Sequence, residues 1–257
     1  MNSIWLIGGT SESVAIVKIL TEQIISLIVT VTTPTARTLY PANTKVIVGC
    51  MDSVAMTSFC LCHKITAVVD ASHPYAVEVS RQAITITSKL NIPYLRYERA
   101  SYLASKQPQP DSVIELDSFK TLLAGDYLDQ QRVFLTVGCQ ALPQFQPWQS
   151  RSTLFARILP KLASLEIALE AGFTSDRLIA IRPPIDAATE TALWQQWQIS
   201  LVVTKASGTA GGEDIKRHVA ANLGVPLFVI ARPKIVYPQQ TSIFSEIVAF
   251  CREARIE

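Results

Sequence analysis

Two short runs of this chain carry residue types that can bind and react, and both follow one plan. In the later run an apolar stretch ends in Lys205, and a turn with Ser207, Gly208, Gly211 and Gly212 leads into a helical pattern closing at Gly224. Glycines let a backbone turn sharply and bring its N–H groups close to a ligand. Glu213 and Asp214 open the helix, where the positive end of its dipole favours acids. The earlier run places Gly8 and Gly9 after an apolar stretch, followed by Thr10, Ser11 and Ser13. A glycine turn between a strand and a helix start can seat a pyrophosphate, and the hydroxyls add donors. The full G-x-G-x-x-G spacing is absent, so Gly8 and Gly9 are equally readable as a plain tight turn.

A third element, Asp70-Ala-Ser-His-Pro-Tyr75, ends another apolar stretch. His73 is readable as an acid or base near neutral pH, or as a residue held by Pro74 that hydrogen-bonds a cofactor alongside Ser72. Tyr75 packs on a nicotinamide or caps the core, and Asp70 ties the loop down through backbone N–H groups. Cofactor choice follows from what is missing. NAD sites place an acid after the second strand for the ribose 2′-hydroxyl, yet no acid occurs between Glu22 and Asp52. Thr33 and Arg37 stand there instead, and an arginine fork suits a 2′-phosphate. The expectation is NADPH rather than NADH.

These residues need a frame that brings them to one rim. Apolar strands are expected at 4–7, 27–31, 45–48, 67–70 and 94–97, with helices from Thr10 or Ser11, over 53–64 and over about 76–90. Strands apolar on both faces and alternating with helices indicate a parallel sheet covered on both sides. The alternation resumes with strands near 112–115, 132–136, 153–159, 178–181, 201–205 and 227–230, and a last amphipathic helix spans about 241–255. A polar, proline-containing stretch, 100–111, reads as the linker. The fold class is therefore α/β, with two Rossmann-like doubly wound parallel-sheet domains, 1–99 for NADPH and 100–257 for substrate and nicotinamide-side contacts. The two glycine turns are expected to face each other across a cleft between them.

Composition narrows the class further. The chain has 257 residues and a formal net charge of +2, with Lys and Arg scattered, which argues against a nucleic-acid partner. No apolar run is long enough to cross a bilayer and no signal peptide precedes the first strand, so a cytoplasmic protein without a membrane partner is expected. Cys60, Cys62 and His63 approach a metal-ligand spacing, but they fall in a helix that points them apart and no second cluster accompanies them, so no metal is expected. Nothing in the pattern demands more than a monomer.

Gly8-Gly-Thr-Ser-Glu12, Asp70-Ala-Ser-His-Pro-Tyr-Ala76, Tyr94-Leu-Arg-Tyr-Glu-Arg99, Thr136-Val-Gly138 and Val203-Thr-Lys-Ala-Ser-Gly-Thr-Ala-Gly-Gly212 occur in that order. With Lys216, Gly224-Val-Pro226 and Ile230-Ala-Arg-Pro233, they resemble the precorrin-6A reductases across nearly the whole chain. The resemblance implies a step of cobalamin biosynthesis, in which NADPH delivers a hydride to one carbon of a double bond of precorrin-6A, or its cobalt form, to give precorrin-6B. It implies cofactor contacts from Glu12, Gly138, Ser207 and Gly208 beside the residues above. A polycarboxylate corrinoid calls for cations at the rim, and Arg96, Arg99, Lys205 and Lys216, with Gly211 and Gly212, are the expected substrate contacts; Arg157 and Arg182 are further candidates. The chain departs from the family pattern at Ser13, at Arg182-Pro-Pro184 and at Ala206.

A macrocycle that has accepted hydride is electron-rich, so water can supply the proton and no dedicated acid is required. His73, Tyr75 and Lys205 are the candidates if there is one. Two other classes fit parts of the pattern: a non-catalytic NADP(H)-sensing module, and an S-adenosylmethionine-dependent methyltransferase, against which the missing acid weighs.

Overall fold

The computed structural model describes residues 2–99 and 112–254. Within them the strands are β1 (Ser3–Ile7), β2 (Leu27–Val31), β3 (Val46–Val48), β4 (Ile65–Asp70), β5 (Tyr94–Tyr97), β6 (Val113–Leu116) and β7 (Arg132–Thr136). They continue with β8 (Thr153–Ile158), β9 (Leu178–Ala180), β10 (Leu201–Lys205), β11 (Leu227–Ile230) and β12 (Gln240–Thr241). The α-helices are α1 (Ser11–Glu22), α2 (Pro34–Arg37), α3 (Ser53–Cys62), α4 (Val77–Lys89) and α5 (Phe119–Ala124). After them come α6 (Leu162–Glu170), α7 (Ala187–Gln196), α8 (Glu213–Leu223) and α9 (Phe244–Glu253). The expected linker, 100–111, lies outside the described residues apart from its position between β5 and β6.

The strands form two parallel six-stranded sheets, ordered β12-β5-β4-β1-β2-β3 and β6-β11-β10-β7-β8-β9. The first sheet has the doubly wound order 3-2-1-4-5-6; in the second, β7 to β11 repeat 3-2-1-4-5 and β6, earliest in sequence, takes the sixth position. In both, the crevice for a ligand opens beside β1 or β7, where the winding reverses. The expected α/β class with two Rossmann-like sheets is thus the observed one.

The edge strand β12 of the first sheet comes from the far end of the chain, so the second unit does not extend over the expected 100–257. The two compact units are Met1–Ala100 with Lys234–Glu257, and Ser101–Pro233. The C-terminal segment returns because β12 completes the first sheet: Arg96 N–H donates to Gln239 O at 2.9 Å and Glu98 N–H to Thr241 O at 2.8 Å. The apolar face of α9 then joins the core of the first unit, where Ile247 and Cys251 cluster with Ile16, Val17 and Leu20 of α1. Each such buried aliphatic chain stabilises by about 1.5–3 kcal/mol relative to exposure. The amphipathic pattern at 241–255 announced a helix with one buried face but not which core would cover it.

Local chemistry accounts for the element ends. Thr10 caps α1 by accepting from Ser13 N–H, and Ser13 returns a bond to the cap. Gly224 ends α8 in the left-handed region, at φ 64°. Between β7 and β8 the chain forms 3-10 turns over Cys139–Trp148, because Pro143 and Pro147 remove the donors an α-helix needs.

Candidate functional site

In the first unit β1 and β4 are neighbours, with Ile7 opposite Asp70, so the turn after β1 and the loop after β4 flank the switch point. Thr10 Oγ1 donates to Ala71 O at 2.8 Å and joins the two. Gly9 has φ +103°, a conformation that side chains rarely adopt, and a Cβ built on it would meet nothing within 4 Å. The turn therefore presents an open face, as a phosphate seat requires. Ser11 and Glu12 head the helix, where their amides have no intrahelical acceptor.

The Gly9 N–H itself is not on offer: it donates to Tyr40 Oη at 2.7 Å. Tyr40 is buried, and its hydroxyl also meets Ser13 Oγ at 2.5 Å. Ser13, expected as a cofactor contact, is fully buried and committed to this network and to Thr10, so it shapes the turn from within. Sequence reasoning missed Tyr40; the one available signal was an aromatic side chain alone in the polar stretch 38–45.

The Asp70 loop is built on a buried carboxylate. Asp70 Oδ1 accepts from Ser72 N–H at 2.9 Å and Arg96 Nη1 at 2.8 Å. Its Oδ2 accepts from Ser80 Oγ and Tyr94 Oη, each at 2.6 Å. The expected tie from Asp70 to the loop backbone is therefore present. Arg96, expected to meet substrate carboxylates, is 1% exposed and spends its donors on Asp70, Ser72 Oγ and Glu98. Tyr237, from the returning C-terminal segment, lies 5.4 Å from the guanidinium. Burial, followed by the Asp70 charge, raises the Tyr94 hydroxyl well above the usual phenol range. Burial would lower Arg96, but Asp70 and Glu98 together hold it above its ordinary value.

On that base His73 is exposed and Pro74 buried. Tyr75 N–H donates to His73 Nδ1 at 3.3 Å, which leaves the proton of the neutral ring on Nε2. The His73 and Tyr75 rings stand 5.8 Å apart. Arg99 pairs with Glu12 at 2.8 Å, cancelling a carboxylate that would otherwise repel an anion at the head of α1. Thr33 caps α2, and Arg37 at its end is half-buried, with Nη2 donating to Ala42 O at 3.3 Å.

In the second unit β7 and β10 are the adjacent pair, so Gly138 and the run from Lys205 to Gly212 flank its switch point. Gly138 is exposed at φ +80°. Lys205 is half-buried, with Nζ 5.8 Å from the Phe119 ring centroid, and burial lowers its pKa. Ser207 sits close to Gly211, where a Cβ would come within 2.0 Å of its hydroxyl. Gly208 N–H donates to Glu213 Oε2 at 2.8 Å, and Glu213 also pairs with Arg217 at 2.8 Å. Glu213 thus caps the turn directly, beyond the dipole effect expected of it.

Lys216 also departs from expectation. It is 1% exposed, and its ammonium donates to the carbonyls of Gly211 and Gly212, each at 2.9 Å, so it holds the glycine turn. Burial and the nearby Arg157 bring it down to about 8, against the pull of Glu190, Glu213 and Asp214. Arg157 is paired with Glu190, which also accepts from Trp194 Nε1 at 3.1 Å. Arg157, Glu190, Lys216 and Thr209 line a cavity of about 50 Å³. Arg182 is exposed.

Among the described residues no group of three His, Cys, Asp or Glu side chains is placed to hold a metal ion, and no helix is long and apolar enough to cross a membrane. Cys60 is buried while Cys62 is exposed, so the two do not share a direction.

Residues 3–252 match the family model described as Precorrin-6x reductase CbiJ/CobK. The chain is 44% identical over 255 residues to a cobalt-precorrin-6A reductase of Synechocystis sp., covering 97% of this chain and 96% of that one. It is 33% identical over 249 residues to a cobalt-precorrin-6A reductase of Priestia megaterium, covering 95% and 96%. A solved structure described as CobK precorrin-6A reductase superposes with a TM-score of 0.78 at 21% identity, covering 99% of this chain and 97% of that one, and so shares the fold.

Proposed function

Because this chain belongs to the precorrin-6x reductase CbiJ/CobK family, we propose that NADPH is its hydride donor and that the turn after β1 holds the coenzyme. The chain is an oxidoreductase acting on a CH–CH group of the precorrin-6A macrocycle, in cobalamin biosynthesis. The methyltransferase and sensor readings give way to it. The two relatives described above are named for the cobalt form, which makes cobalt-precorrin-6A the first substrate to assay.

One observation carries the cofactor reading: the open Gly9 turn heads a capped helix, no acid occurs between Glu22 and Asp52, and Arg37 stands at the end of α2 in that stretch. Bound there, NADPH supplies a hydride to one carbon of a ring double bond, and a proton adds at its neighbour. The Ser11 and Glu12 amides receive phosphate oxygens. Arg99 keeps Glu12 from opposing that charge, and Thr33 with Arg37 selects the 2′-phosphate. Ser72, His73 and Pro74 take the next stretch of the coenzyme. Lys205 meets a carboxylate arm of the pigment, while Arg96 holds the Ser72 loop and Lys216 the glycine turn at Gly211 and Gly212.

The test is anaerobic incubation of purified protein with precorrin-6A and with its cobalt form, each with NADPH or NADH. NADPH oxidation, a change in the pigment spectrum and a product heavier by two hydrogens are expected. Binding of NADPH with no oxidation against either pigment would sink the reading.

A further inference from the structure

We infer that Tyr40 is the positioning residue of the coenzyme turn, an inference that rests on the cofactor reading above. The hydrogen bonds around it have one consistent direction. Ser13 Oγ accepts from Thr10 N–H at 3.1 Å and gives its only proton to Thr10 O at 2.6 Å. In its 2.5 Å contact with Tyr40, Ser13 therefore accepts and the phenol donates. The Tyr40 oxygen is then free to accept the Gly9 N–H at 2.7 Å. A chain runs from the Gly9 amide through the Tyr40 and Ser13 hydroxyls to the Thr10 carbonyl, and each link polarises the next. It begins and ends on the turn, so it closes the turn on itself around a side chain from a distant loop.

The same geometry separates the roles of the two glycines. A Cβ on Gly8 would lie 2.3 Å from Tyr40 Oη and 2.9 Å from Val29 Cγ1, so Gly8 makes room for the tyrosine. Gly9 supplies the positive φ and the open face. Tyr40 also follows α2 directly, with its N–H on Arg37 O at 3.3 Å. Tyr40 thereby links the diphosphate turn to the end of α2, where the proposed 2′-phosphate ligand Arg37 stands.

Tyr40→Phe keeps the ring in the core and removes only this link. The Gly9 amide and Ser13 lose a partner, and a loosened turn must be ordered again when coenzyme binds. Fluorescence titration of the full-length variant with NADPH should show Kd raised about tenfold. The KM for NADPH should follow it, with kcat at saturation changed by less than about twofold. Gly8→Ala, which displaces the hydroxyl without deleting it, should weaken NADPH at least as much. The double variant should lose less than the product of the two single losses, because both remove one contact. NADPH affinity in both single variants within about twofold of wild type, or a loss carried by kcat alone, would overturn the inference. Wild-type protein that fails to bind NADPH at all would instead remove the cofactor reading, and this role with it.

Discussion

Arg96 Nη1 lies 2.8 Å from Asp70 Oδ1, with neither side chain more than 1% exposed. An ion pair so far from water resists the loss of either member, because the survivor is left charged without a partner. The pair also underlies the loop that carries His73, since Asp70 holds Ser72 N–H and Arg96 holds Ser72 Oγ.

Arg96→Met should therefore lower stability by about 3–5 kcal/mol, read from chemical unfolding. A side chain serving a substrate carboxylate would behave otherwise, raising the pigment KM with the unfolding curve unmoved. That second result would return Arg96 to the binding surface.

Arg37 sits half-buried at the end of α2, in a stretch that has no acid. Reversing its charge removes the fork and sets a carboxylate against the 2′-phosphate. Arg37→Glu should weaken NADPH about ten- to hundredfold, the range of one charged hydrogen bond, and NADH much less. Equal weakening of both coenzymes would end this account of cofactor choice.

Neither His73 nor Lys205 is required for the proton on chemical grounds. A positioned general acid contributes about 10²–10⁴-fold, so the size of the defect identifies one. His73→Ala and Lys205→Ala should each keep measurable turnover, with higher coenzyme or pigment requirement. Complete loss of turnover with binding intact, in either variant, would identify the proton donor.

Lys216 makes stability depend on pH in a known direction. Below about 8 its amine is charged in folded and unfolded chains alike, and burial is opposed in full. Between about 8 and 10.5 the unfolded chain still binds the proton that the folded chain has released, so stability rises with pH. The rise is on the order of 3 kcal/mol. Lys216→Met removes it, so the unfolding free energy of wild type minus that of the variant should climb from pH 7 to pH 10. A flat difference would show that the ammonium is not held in a desolvated place.

The residues of this chain, read in order, determine most of its strands, both glycine turns, the caps at Thr10 and Gly224, and the absence of an acid between Glu22 and Asp52. These are local matters: periodicity reports which faces are apolar, glycine and capping residues report where the backbone must turn, and charge reports what an open turn can attract. What the tertiary structure decided is who meets whom. The pattern of α9 required a covering partner but could not say that α1 would be it, nor that β12 would close the first sheet. Arg96 and Lys216 look like rim cations in sequence, yet packing turned both inward, toward Asp70 and toward the carbonyls of Gly211 and Gly212. Tyr40 lies 31 residues from Gly9 and shares no period with it, and only folding brings its hydroxyl to that amide. The direction of a long polar side chain depends on which burial leaves every donor and acceptor satisfied, and that balance exists only once the chain is packed.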